Sequence, residues 1–138
     1  YLTMVNRVLQ PQEIEVFYIL PALRRQLVIF MKERGLKQRD IARLLEINEA
    51  AISQYLSGKR GHQIDFGGKI LDEIQHSAQR ITNQGTFLME MQRLLKVIRE
   101  SKVLCQIHRQ FSTVPSECDP FATGCIEKED LVHVTAKN

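Results

Sequence analysis

The pattern of the chain predicts an all-α protein. Two observations carry this. Apolar residues recur at spacings of three and four over most of the length, the period of a helix with one buried face. The segments that carry this period are separated by Gly, Asn and Ser residues of the kind that stop and start helices. No internal repeat or low-complexity stretch interrupts the pattern.

Residues 1–20 are the least decided part. Pro11 and the β-branched and aromatic run Ile14 to Leu20 suit a strand, a short helix or an extended arm equally. From Pro21 the helical period sets in, with proline in a first turn and Leu23, Leu27, Phe30 and Met31 on one face. Gly35 sits where such a helix stops. A second helix is predicted from about Lys37 to Leu45, turning Ile41, Ala42, Leu44 and Leu45 inward. Asn48 is a good N-cap for a third, from Glu49 to about Leu56, closed by Ser57-Gly58. Ile64 to about Thr82 is a fourth, with Ile70, Leu71, Ile74, Ala78 and Ile81 as its stripe. After the break Asn83-Gln84-Gly85, Thr86 is the expected cap of a fifth helix bearing Phe87, Leu88, Met91, Leu94, Leu95 and Ile98. Ser101 is the expected cap of a continuation with Val103, Leu104, Ile107 and Phe111. Ser112 to Gly124 is loop-like, and Ile126 to Asn138 is either a short helix or a frayed tail.

Composition excludes several classes. At 138 residues, 43% apolar and 25% charged, the chain is neither collagen-like, mucin-like nor wholly disordered. Its most apolar window, Val16 to Met31, is broken by Pro21 and the Arg24–Arg25 pair, short of the roughly 18–20 uncharged residues of a membrane span. The N-terminus has no basic start, apolar stretch and cleavage site in series, so a cytoplasmic protein is expected. It opens on Tyr1, so either Met4 is the start or residues precede it. No phosphate-cradling glycine loop, GxSxG elbow or HExxH is present. Asp72 and Glu73 are adjacent and point apart, a poor catalytic pair. The chain is not expected to be an enzyme.

Net charge is only +3, but it is unevenly spread. Pro21 to Arg60 holds nine Lys/Arg against four acids, a local +5, and the remainder is −2. A phosphate-binding face needs such a local excess. Within this stretch lies LKQRDIARLLEINEAAISQYLSGKR, Leu36 to Arg60, whose pattern describes two short helices joined by a tight turn, a helix-turn-helix. Ala42 is small where the two helices cross, Ile47 plugs the turn and Ile52 anchors the third helix beneath. The outward face is left to Glu49, Ala50, Ser53 and Gln54. In a DNA-binding unit that helix enters the major groove. There Gln54 would read adenine, Glu49 a cytosine amino group and Ala50 a thymine methyl. Gln38, Ser53, Ser57, Lys59 and Arg60 would bond phosphates and set register.

Gln38, Ile41-Ala42, Ile47, Asn48, Ile52-Ser53 and Ser57-Gly58-Lys59 resemble the repressor–Cro-like (XRE-type) class of helix-turn-helix regulators over residues 22–66. The whole chain also looks like small predicted regulators with a cysteine-containing C-terminal helical region. The resemblance implies double-stranded DNA as partner and a homodimer on a roughly palindromic operator, with half-sites about one helical turn apart. It divides the chain into residues 1–66, arm and DNA-binding unit, and 67–138, dimerisation and metal-sensing. The fourth and fifth helices, read as too long for one small domain to bury, are the expected dimer interface. One position departs: Glu46 stands where the class often has glycine. A left-handed residue there costs roughly 1 kcal/mol or more, so the turn either differs or carries strain.

Three cysteines, Cys105, Cys118 and Cys125, fall in the last third, an odd number that argues against a disulfide scaffold. Cys105 and His108 are three apart on a predicted helix and share a face. With Cys118 and Cys125 they make a set of three thiolates and one imidazole, which suits structural zinc or an iron–sulfur cluster. The resembling family often has Cys-x-x-Cys where this chain has Cys105-x-x-His108, and a closer second pair. The irregular spacing favours an iron–sulfur cluster, and with it a redox- or iron-responsive sensor, over zinc. Simple packing of Cys105 is the plain alternative. His62, His76 and His133 are expected as isolated surface residues. Rival functions are a metal-free or zinc-stabilised repressor, an antitoxin-like interaction module and an RNA binder.

Overall fold

A computed structural model describes residues 8–126, and all the regular secondary structure among them is helical. The first turn, α1 (Pro11–Ile14), begins on a proline, with the Gln10 N–H donating to Glu13 Oε1 at 2.9 Å. It runs without a break through a π-helical turn, Glu15–Ile19, into α2 (Leu20–Glu33). The run Ile14 to Leu20, compatible on paper with strand or arm, is thus helix, and Pro21 lies inside a rod rather than at its start. Proline brings no N–H and its ring crowds the carbonyl four residues back. The wider π turn just before it, closed by the Leu20 N–H on the Glu15 carbonyl, accommodates both defects and keeps the rod continuous.

The rod ends as anticipated: Gly35 takes φ +91° and the Leu36 N–H reaches back to the Met31 carbonyl. Next come α3 (Gln38–Leu45) and α4 (Glu49–Leu56). The turn between them is left-handed at Glu46 (φ 55°, ψ 42°). Both the Glu46 and Ile47 N–H groups donate to the Ala42 carbonyl. Asn48 then caps α4, its Oδ1 accepting from the Ala51 N–H at 2.7 Å. A short extended segment follows, in which Ile64 and Phe66 are buried. It leads to α5 (Gly68–Arg80), α6 (Gln84–Glu100) and α7 (Val103–Phe111).

Helix boundaries in this half differ from the sequence reading. The fourth predicted helix starts at Gly68 rather than Ile64, because Ile64 and Phe66 enter the core from extended chain. Asn83, not Thr86, is the cap of α6. Its Oδ1 accepts the Thr86 N–H while Thr86 Oγ1 accepts the Asn83 N–H, a reciprocal pair that places the cap three residues upstream. Ser101 closes α6 instead of opening α7, and the left-handed Lys102 (φ 65°) makes the corner.

Helix α2 sits at the centre, against α3, α4 and α5, while α6 packs on α5 and α7. Leu23, Leu27, Val28 and Met31 of α2 meet Ile41, Leu45, Ile52, Ile70, Ile74 and Leu94 in one apolar cluster. Each fully buried aliphatic side chain stabilises the fold by about 1.5–3 kcal/mol. The cluster crosses residues 66–67, so the two parts of the chain share one core. Ile70, Ile74, Ala78 and Ile81 of the α5 region, with Met91, Leu94 and Ile98 of α6, are buried within it. Much of the apolar surface of these helices, expected to be too long for one domain to bury, is therefore covered by the described residues themselves. What α6 leaves exposed is Leu88 and Met89, at 63% and 68%.

One polar network is built into the α5–α6 seam. Ser77, at 0% exposure, donates from Oγ to Glu90 Oε1 at 2.8 Å and accepts from Arg93 Nη2 at 2.7 Å. Arg93 also bonds Glu90 and Glu73, so the buried hydroxyl and the charges around it are satisfied. Burial alone would raise the Glu90 carboxyl. The hydrogen bonds from Ser77 and Arg93, with the charges of Arg93 and Arg80, outweigh it and hold that carboxyl below its ordinary range. At the opposite end the Leu9 N–H donates to Ser112 Oγ (2.7 Å), and Tyr18 stacks on Phe111 at 4.0 Å between ring centroids. Among the described residues no helix is long and apolar enough to cross a membrane.

Two outcomes are expected. Glu46→Gly removes the left-handed penalty, partly offset by the freer unfolded chain, and should raise stability by about 0.5–1 kcal/mol in urea unfolding. Glu90→Gln should cost about 1–3 kcal/mol at neutral pH, the worth of a buried charged hydrogen bond. Because the Glu90 pKa is depressed on folding, its contribution is complete above the ordinary carboxylate range and is lost as pH falls through the folded-state value. The gap between Glu90→Gln and wild type should therefore close in acid unfolding curves.

Candidate nucleic-acid interface

Ala51, Ile52 and Tyr55 of α4 are buried, and this inward triplet fixes which side of the helix faces solvent. Glu49, Ala50 and Ser53 are exposed on the outward side, and Ser57, Lys59 and Arg60 are exposed beyond its C-terminal end. Ser53 Oγ and Ser57 Oγ donate to the carbonyls of Glu49 and Gln54, at 3.4 and 3.2 Å. Gln38, the first residue of α3, is half-buried. Gln54 is also half-buried, and its Oε1 is turned inward with no hydrogen-bond partner. A buried acceptor left unpaired costs about 1–3 kcal/mol, so this conformer gains from rotating outward to any available donor.

Past α4 the chain turns twice through positive φ, at Gly58 (78°) and Gly61 (70°). A Cβ on Gly61 would lie 2.4 Å from the Pro21 carbonyl oxygen. Glycine is therefore required for the loop to lie against the first turn of α2, just past the π turn. This close approach creates a cleft of about 390 Å³ between the rod and the end of α4. Arg24, Lys59, Arg60 and His62 line it, together with Tyr55 and Phe17. The Phe17 ring stays 54% exposed at the π turn. Among the described residues no acidic side chain lines this cleft. Field lines in such a recess are concentrated, and a phosphate there would meet several cations at once.

The sequence reading named Lys59 and Arg60 for this region but missed the rest. Arg24 counted only toward the local charge. His62 was set aside as an isolated surface residue; it is exposed, yet it stands beside three cations. Nothing in helical periodicity signals either neighbour, because the cleft joins residues some forty positions apart. His76 is exposed, and His133 lies outside the described residues.

The other predicted constellation is brought together only in part. Cys105, Cys118 and Cys125 are all free and half-buried. Burial pushes the Cys105 thiol up, and so does the nearness of the Cys125 and Cys118 sulfurs. His108 is engaged elsewhere, its Nε2–H donating to the Leu9 carbonyl at 2.6 Å. That bond leaves Nδ1 as the only ring nitrogen with a free lone pair. Among the described residues no three or more His, Cys, Asp or Glu side chains converge as a metal site requires. The four residues line one region of the molecule without forming a ready-made zinc or cluster site.

Compared with protein families, characterised proteins and solved structures, the chain has no significant match to a family model, to a characterised protein or to a solved structure.

Proposed function

We propose that the protein is a homodimeric, sequence-specific DNA-binding transcriptional regulator in which α3 and α4 act as a helix-turn-helix of the repressor–Cro-like type. The observation that carries this reading is the outward face of α4, exposed among the described residues and flanked by a cleft whose described lining is basic and without acids. Helix α4 would enter the major groove with Glu49 and Ala50 toward base edges and Ser53 on the phosphates beside them. Gln54 would swing its amide outward, exchanging an unpaired buried oxygen for a bidentate pair with adenine. Gln38, Ser57, Lys59 and Arg60 would hold the backbone, and Arg24 and His62 would extend that hold into the cleft.

Two copies would be needed for a roughly palindromic operator. Leu88 and Met89, side by side and exposed on α6, supply apolar surface for pairing. The uneven charge supports the same reading. The +5 segment lies on the rod, α3, α4 and the loop just after α4, whereas two acids of the remainder, Glu73 and Glu90, are paired with Arg93 in the α5–α6 seam.

Selection from a random duplex library, followed by competition at fixed salt, tests the proposal. Gln54→Ala should relax sequence choice, losing about 1–3 kcal/mol of discrimination at one position. Arg60→Ala should weaken all duplexes alike and lower the salt slope by about one. Duplex binding unaffected by either substitution would place the interface elsewhere.

A further inference from the structure

A second cavity lies at the opposite end of the rod, away from α4. It measures about 340 Å³, is partly open to solvent, and is bordered by residues 8–12 at the start of the rod, by α7 and by the loop after it. That is the lower end of the range for small-ligand sites, about 300–1,000 Å³. Leu9, Pro11, Val114 and Pro115 give it an apolar side, and Cys118 and Cys125 stand in the same wall. Its charges are already spent within the protein. Arg99 Nη2 donates to both carboxylate oxygens of Glu15 at 3.0 and 3.3 Å, and His108 donates to the Leu9 carbonyl. An ionic ligand would find no free countercharge in that pair, whereas two free thiols remain.

We infer that this cavity takes a small uncharged electrophile, an α,β-unsaturated carbonyl or quinone, and that Cys118 or Cys125 adds to it. The sulfur lone pair forms the C–S bond at the β-carbon, and the C=C electron pair moves to give the enolate. The thiol proton ends on the α-carbon, so addition needs no oxidant, reductant or co-reactant. Thr123 Oγ1, which donates to the Asp119 carbonyl at 3.0 Å, lies 3.5 Å from Cys125 Sγ, where it accepts from the thiol S–H and orients the sulfur. Cys118 and Cys125 are held in shape by the loop itself, their N–H groups donating to the carbonyls of Pro115 and Pro120. Cys105 is not part of the wall and serves as an internal comparison.

The cavity bears on the DNA-binding face through the rod. Pro11, Gln12 and Glu15 line the cavity and continue through the π turn into α2, which packs on α4. An adduct wedged against that end would shift the rod relative to α4 and change duplex affinity. This consequence rests on the DNA-binding reading, whereas the thiol addition does not.

The test uses the full chain and 2-cyclohexen-1-one, a neutral Michael acceptor, with site-resolved peptide mass spectrometry. The folded protein should be labelled at Cys118 or Cys125 about tenfold faster than at Cys105, because a probe held in the cavity is concentrated beside the two wall thiols and not beside Cys105. The rate should saturate with probe concentration, as binding before reaction requires. Val114→Trp, which fills the cavity, should lower that rate about tenfold. Cys118→Ser and Cys125→Ser, milder changes, should identify the thiol that reacts. In urea all three thiols should react alike. A folded-state rate linear in probe and equal at the three cysteines would overturn the inference. So would labelling at Cys105 first. Saturable labelling without any duplex binding would retain the site and reject the DNA reading; duplex binding with linear, unselective labelling would do the reverse.

Discussion

Everything in this protein is arranged around one buried rod, residues 11–33. Its α2 half supplies Leu23, Leu27, Val28 and Met31 to the centre of the core and touches α3, α4 and α5. The rod survives a proline near its middle because the π turn before Pro21 absorbs the missing donor and the ring. Without that accommodation the chain would kink at Pro21. Helix α1 would then no longer meet α7, nor the loop at Gly61 meet the rod. The same turn exposes Phe17 beside the cationic cleft, so the device that keeps the rod continuous also shapes the surface near α4.

The two ends of the rod are chemically different. Near Arg24 it is cationic and open, bordered by the glycine-bearing loop after α4. Near Glu15 and Leu9 its polar groups are paired off, by Arg99 on one side and by His108 and Ser112 on the other. Charge is available where a polyanion would lie and neutralised where an uncharged molecule would sit. A single packed helix joins the two, so displacement at one end has a physical route to the other.

Much of the architecture was legible in the chain. The all-helical class, the limits of α3 and α4, the Asn48 cap and the stop at Gly35 follow from spacing and from a few residues whose local chemistry leaves little choice. The outward placement of Glu49, Ala50 and Ser53 follows from the inward triplet Ala51, Ile52 and Tyr55. Legibility failed where local rules compete. Thr86 and Asn83 are both good caps, and only their reciprocal bonding places the boundary. Pro21 suits a first turn by propensity, and only the π turn allows it inside a helix. The burial of α5 and α6 depended on how many neighbours the fold supplies, a quantity that length does not convey.

By itself, then, the sequence determined the helices from α2 onward, most of their inward faces and the polar side that α4 turns outward, because these depend on contacts within a few residues. Glu46 shows the limit of that locality: the chain announced a residue ill suited to a left-handed turn, and the fold adopted the turn regardless, since packing of α3 on α4 outweighs about a kilocalorie of backbone strain. Tertiary structure alone decided the rest. It joined Arg24 to His62, turned the His108 Nε2–H to the Leu9 carbonyl, and set two thiols in a cavity wall. Each of these joins residues distant in the chain, and their meeting depends on how whole helices pack, which no short-range pattern encodes.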